Sequence, residues 1–135
     1  MSLLILPTEY PIDLRLTLKS GQSFRWIEEG GTFEGVLGND LFYLRNNGYS
    51  VEVTSSIVDD QQAITQLTSY FRLDDDWKEI LRTIDIDEGL SSAMHRYTGL
   101  RLLRQDPWET LVTFVISSDA FLFVNFRKNF FCLNF

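Results

Sequence analysis

Residues 12 to 26 read "IDLRLTLKSGQSFRW", and the assignment of this stretch decides what kind of fold the chain can have. Its first eight residues alternate, with Ile12, Leu14, Leu16 and Leu18 on one side and Asp13, Arg15, Thr17 and Lys19 on the other. A period of two places successive side chains on opposite faces of a strand. Residues 12 to 19 are therefore expected to form a half-buried β-strand. Gly21 would stand at the end of that strand, where a glycine serves an ordinary turn or bulge or lets a ligand approach the backbone. A helix over residues 12 to 19 would sink the fold built on this assignment.

Further along, the short runs "SFRWIEE", "TFEGVL", "LFYLRN" and "YSVEVT" are separated by Gly30-Gly31, Gly38-Asn39-Asp40 and Asn46-Asn47-Gly48. Glycine and asparagine supply the tight turns of hairpins, so the first half is expected to be an antiparallel meander of about five strands. After Val58 the period becomes helical. Asp59 and Asp60 can cap a helix carrying Ile64, Leu67, Tyr70 and Phe71, and "DDDW" opens a second with Trp77, Ile80, Leu81 and Ile84 on one face. The carboxylates of Asp74, Asp75 and Asp76 are read as a solvated, dipole-matched helix start, not as a metal site. A third helix is expected over residues 88 to 97. A fourth has Asp106 as cap, Pro107 where no N–H is needed, and Glu109 three residues after the cap. Residues 111 to 116 are almost all apolar. This helix is expected to be buried on most sides and to hold Ser117, Ser118 and Asp119 at its far end.

The 135 residues suit one ordinary domain, with enough chain to bury a core without disulfide or metal staples. A formal net charge of -7 argues against a freestanding DNA binder of the basic-patch type, although local patches can depart from the total. Cys132 and His95 are single examples of their kinds, which argues against a disulfide or a His/Cys metal cluster. No metal and no small-molecule cofactor is expected. The opening "MSLLILP" has no basic region before its brief apolar run, and it is too short for a secretory signal. Residues 111 to 126 are interrupted by Ser117, Ser118, Asp119 and Asn125 and fall short of the roughly 20 apolar residues of a membrane span.

Two segments carry a resemblance. "SGQSFRW" (residues 20 to 26) and "GLRLLRQDPWETLVTFVISS" (residues 99 to 118) resemble the eukaryotic 8-oxoguanine DNA glycosylases, in the same order and at a similar separation. The resemblance covers roughly residues 10 to 118. It implies an α+β fold: an antiparallel sheet, distantly similar to one repeat of the TATA-box-binding protein, then helices, ending in the first helix of a helical glycosylase domain. On this basis residues 1 to 100 are assigned to the N-terminal domain, 101 to 118 to the start of the helical domain, and 119 to 135 to a divergent Phe-rich tail. The implied function is the N-terminal part of an 8-oxoguanine DNA glycosylase and abasic-site lyase acting in base-excision repair. The implied partner is double-stranded DNA containing 8-oxoguanine, and the implied location is the nucleus or the mitochondrion.

The chemistry of that family requires the damaged base to leave the stack. A lysine then attacks the sugar and forms a Schiff base, with an aspartate stabilising the developing charge. The damaged base carries a hydrogen on N7 where guanine has a lone pair, so a well-aimed backbone carbonyl can tell the two apart. The resemblance assigns that carbonyl to Gly21 and places Asp119, more weakly, in the substrate site. Gln22, Phe24, Arg25, Ser117 and Ser118 are given supporting roles. Arg101 and Arg104 adjoin an apolar helix, and they are expected to tie the helical layer together more than to hold phosphate.

The resemblance ends after Ser118. Asp119 replaces the first of a run of asparagines, and a carboxylate cannot donate a hydrogen bond and faces a polyanion. Six of the chain's eleven Phe fall within residues 119 to 135, a composition that a misread frame, a retained intron or a truncated gene model would give. The helix-hairpin-helix with its lysine and aspartate is missing, so no catalytic residue is assigned. Lys19, Lys78 and Lys128 lie in no motif that would lower an amine pKa. The alternatives are a non-catalytic DNA- or protein-binding module and a non-functional fragment.

Overall fold

Alternation resolves into strands wherever a turn-forming pair sets the register. The computed structural model describes residues 3 to 48 and 50 to 117. Strands β2 (Trp26–Glu29), β3 (Thr32–Leu37), β4 (Asp40–Asn47) and β5 (Ser50–Ser55) form an antiparallel meander. Gly30-Gly31 separates the pair Glu29 and Thr32, and Gly38-Asn39 separates Leu37 and Asp40. Burial in β5 alternates along its whole length, putting Val51, Val53 and Ser55 inward. The sheet has five strands in the order β1-β5-β4-β3-β2, and its remaining member is β1 (Leu4–Leu6), paired with β5 through Leu4 to Val53 and Leu6 to Val51.

The strand expected at residues 12 to 19 is instead helix α1 (Leu14–Leu18). Asp13 adopts extended φ and ψ, and its Oδ1 accepts the Leu16 amide at 2.8 Å, which starts a helix in the manner of an N-cap. The buried residues are Leu14, Thr17 and Leu18, spaced i, i+3 and i+4. Leu14 and Leu18 satisfy both periods; Thr17, which alternation would send to solvent, decides between them. The α+β fold survives because β1, from the brief apolar run at the start of the sequence that was not expected to be a strand, takes the fifth place in the sheet. Gly21 accordingly follows the end of a helix, whose C-cap is Lys19, and does not end a strand.

The helices after the sheet match their expected limits: α2 (Asp60–Tyr70), α3 (Trp77–Ile84), α4 (Glu88–Arg96) and α5 (Pro107–Ser117). Asp59, Asp76 and Asp87 cap the first three, each accepting an amide of the first turn. The core lies between the sheet, α1 and α2, where Leu6, Phe33, Phe42, Leu44, Val51 and Val53 meet Leu14, Leu18, Leu67 and Phe71. Helices α3 and α4 bury no residue. Helix α5 also departs from expectation: Trp108 is 71% and Phe114 70% exposed. An apolar run specifies that a face be covered, but the cover must come from another element, and among the described residues none closes over these side chains.

Candidate functional site

The site is built at the junction of the α1–β2 turn with the segment leading into α5. Gly99 sets one end of this junction. Its φ of +94° is a left-handed value, and a Cβ there would lie 2.8 Å from the Asp13 nitrogen, so only glycine fits. Its carbonyl accepts from the Asp13 amide at 2.9 Å and from Thr17 Oγ1 at 3.3 Å. Thr17 Oγ1 in turn accepts the Arg101 amide at 3.1 Å. The cap and the buried face of α1 are thereby tied to residues 99 to 101.

Gly21 lies on the exposed side of this junction with a φ of +87°, and the position its Cβ would occupy is open for at least 4 Å. An L-residue adopts that backbone only under strain. The backbone at this point is therefore open to solvent. Gln22 follows, half-buried, and its carboxamide reaches across to residues 101 to 103. Phe24 is 41% exposed on the same turn. Arg25 forms an ion pair with the Glu109 carboxylate in the first turn of α5, both side chains being largely shielded from solvent.

Trp26 anchors the start of β2 from beneath. Its indole lies so close to Gly35 that a Cβ on that glycine would fall 2.4 Å from the ring, and its Nε1 donates to the Tyr70 hydroxyl at 2.9 Å. Burial pushes the Tyr70 phenol up from its ordinary value, while bonds to Ser23 and Trp26 oppose that rise. The turn carrying Gly21 thus rests on a packed aromatic base.

Helix α5 begins as its capping signals dictate. Asp106 Oδ1 accepts the Glu109 amide at 2.9 Å and the Asp106 carbonyl accepts from Thr110 Oγ1 at 2.8 Å. Leu103, Gln105, Pro107, Thr110, Leu111 and Phe114 line an open apolar groove of about 580 Å³ along it. The helix is described as far as Ser117; Ser118 and Asp119 lie outside the described residues, as does the Phe-rich tail.

The two arginines before α5 are structural, as expected. Arg101 is 3% exposed, donates to the Pro11 carbonyl at 3.1 Å and stacks over Trp77 at 4.1 Å, and burial lowers its guanidinium pKa from the usual value. Arg104 donates to the Ser69 carbonyl and pairs with Asp74 at 3.0 Å and Asp75 at 3.2 Å, so it closes the C-terminal end of α2. Lys19 pairs with Glu28 at 2.9 Å. Among the described residues there is no group of three or more His, Cys, Asp or Glu placed to hold a metal ion, and no helix is long and apolar enough to cross a membrane. Sequence reasoning missed Thr17, Gly99 and Gln105. Gly99 and Gln105 lie in the segment that carries the resemblance but were given no role there; Thr17 carried no signal.

Residues 4 to 111 match the family described as 8-oxoguanine DNA glycosylase, N-terminal domain. The N-glycosylase/DNA lyase of Saccharomyces cerevisiae is 34% identical over 114 residues, which are 76% of this chain and 30% of the yeast protein. Among solved structures, MBOgg1 in complex with a low-affinity DNA ligand superposes with a TM-score of 0.75 and 32% identity, covering 88% of this chain and 41% of that one. The apo form of the Clostridium acetobutylicum 8-oxoguanine glycosylase/lyase gives a TM-score of 0.77 and 27% identity over the same shares. The chain spans about a third of the length of the curated relatives it matches.

Proposed function

From the premise that the chain belongs to the family of the 8-oxoguanine DNA glycosylase N-terminal domain, we propose that it supplies the lesion-reading edge of such a protein. In this reading the Gly21 carbonyl accepts the N7 hydrogen of 8-oxoguanine flipped from duplex DNA and repels the N7 lone pair of guanine. The observation that carries it is the exposed, left-handed glycine with nothing within 4 Å of its Cβ position, held against the lead-in to α5. The bond-breaking chemistry is left to polypeptide beyond residue 118, because Lys19 is ion-paired with Glu28 and Lys78 lies exposed on α3. A nucleophilic amine must be neutral and within reach of the sugar.

The partner is double-stranded DNA, and the site of action is the nucleus or the mitochondrion. Arg15, Lys19, Arg25, Arg72, Arg82 and Arg104 are each engaged in ion pairs within the chain. DNA binding by these residues alone is therefore weak, mainly nonspecific and reduced by salt. The purified 135-residue protein is expected to excise no base and to give no borohydride-trapped DNA adduct; an adduct lost on Lys128→Gln would show that the tail supplies a nucleophile.

The direct test joins residues 1 to 117 to the remaining part of the yeast relative and compares excision of 8-oxoguanine and guanine. Gly21→Ala in that hybrid should narrow the discrimination by about 1–3 kcal/mol, the scale of one hydrogen bond exchanged for a repulsion. An unchanged excision ratio would remove Gly21 from the recognition step.

A further inference from the structure

We propose that Gln22 is a positioning residue, whose carboxamide works as a one-residue strand that sets the Gly21 carbonyl against the start of α5. The inference rests on the recognition role given to Gly21 above. The Gln22 side chain donates from Nε2 to the Arg101 carbonyl at 2.9 Å and accepts at Oε1 from the Leu103 amide at 2.9 Å. Its own main-chain carbonyl, one peptide after Gly21, accepts from Gln105 Nε2 at 2.6 Å. Two residues of the lead-in are thus read in the i, i+2 pattern by which a strand reads its neighbour, and a third closes the contact from the other side. Nε2 also donates to Ser20 Oγ at 2.9 Å, and Ser20 Oγ donates to the Thr17 carbonyl at 2.8 Å. The turn is fixed on both flanks of Gly21.

Only a carboxamide satisfies this geometry. The Arg101 carbonyl can only accept and the Leu103 N–H can only donate, so the group between them must present a donor to one and an acceptor to the other. That requirement also fixes which end of the amide is oxygen. A carboxylate of the same shape would serve Leu103 and leave the Arg101 carbonyl facing a second acceptor. The charged groups nearby have contacts of their own: Arg101 Nη2 donates to Pro11 and its guanidinium lies over Trp77, and Arg25 pairs with Glu109. Three residues of lead-in after Leu103, the Asp106 cap opens α5, so a displacement at residues 101 to 103 is passed to the helix.

The test is nuclear magnetic resonance of the full 135-residue chain with Gln22→Glu. At neutral pH the introduced carboxylate still accepts from the Leu103 amide but faces the Arg101 carbonyl without a donor, and the resulting displacement should shift the amide signals of Gly21 and of Glu109 together. Protonation returns the missing donor, so the folded pKa of the introduced carboxyl is raised. Stability is complete at low pH and lost as pH rises through that value. Both sets of signals should return towards wild type along one titration curve. Independent titration of Gly21 and Glu109, or no response at either, would overturn the proposal. Should the variant not fold, the wild-type chain decides: Gln22 carboxamide protons exchanging at the rate of a free amide would overturn it equally. No DNA is present in this experiment, so its failure leaves the Gly21 recognition test standing, and the converse also holds.

Discussion

Helices α1 and α5 show the difference between starting a helix and keeping it in place. Each opens on an aspartate cap, Asp13 in one and Asp106 in the other. Yet α1 has five residues and is stitched into the core by Leu14, Thr17 and Leu18, whereas α5 has eleven and leaves Trp108, Leu111, Phe114 and Val115 exposed. A five-residue helix is far below the length that stands alone in water, so α1 exists because of its packing. Helix α5 has the better local signals and the weaker tertiary support. Local sequence determines where a helix begins, and burial determines how much holding it is worth.

Paired truncations would break this comparison most sharply. Phe42→Ala, at a fully buried position facing the α1 side of the sheet, should cost about 3–5 kcal/mol. Phe114→Ala on α5, already 70% exposed, should fall within about 0.5 kcal/mol of wild type. Urea unfolding followed by tryptophan fluorescence measures both, and a large loss from Phe114→Ala would mean that α5 is covered after all.

A smaller effect tests the joint that holds α1. Gly99→Ala places a methyl 2.8 Å from the Asp13 nitrogen on a left-handed backbone, which should destabilise by about 1–3 kcal/mol. Hydrogen exchange should show the loss first at the amides of Asp13 and Arg101, with those of α5 little changed. Equal loosening along both helices would make the junction and α5 one cooperative unit.

The smallest effect comes from surface charge. Lys19, with Arg15, holds the Glu28 carboxyl below its ordinary value beside α1, and Arg104 does the same to Asp74 beside the lead-in to α5. A carboxyl depressed in the folded state contributes above its unfolded pKa, and that contribution is lost as pH falls through the folded value. The urea midpoint should drop slightly in acid, and added salt should shrink the drop because such pairs are screened. Gln22→Glu should move stability in the opposite direction, which separates the two behaviours within one pH series. Carboxyl-carbon titrations showing Glu28 and Asp74 at ordinary values would remove this contribution.

Much of the fold was legible because the signals were redundant. Strands β3, β4 and β5 each had alternation bounded by turn residues, although Asp40, Asn46 and Asn47, expected in the turns, belong to β4, and Asp59, Asp76 and Asp106 marked three helix starts. Residues 12 to 19 failed because Leu14 and Leu18 fit a period of two and a helical turn equally well, and only Thr17 distinguishes them. Residues 4 to 6 were passed over because three residues carry no period. Of the candidate site, Gly21 and Arg25 were singled out through the motif that contains them. The residues that fix the surrounding turn bond across long separations, Thr17 to Gly99 across 82 residues and Gln105 to Gln22 across 83, and no local pattern connects such residues.

The sequence by itself determined the turn positions, the helix starts and the family resemblance, because each depends on side chains within a few residues of one another. Tertiary structure alone decided that residues 14 to 18 coil, that residues 4 to 6 complete the sheet, and that Trp108, Leu111, Phe114 and Val115 of α5 stay exposed among the described residues. Each of those outcomes depends on which distant surface is present to bury a side chain or accept its hydrogen bond. Local preferences over so few residues are worth less than the burial of a single leucine.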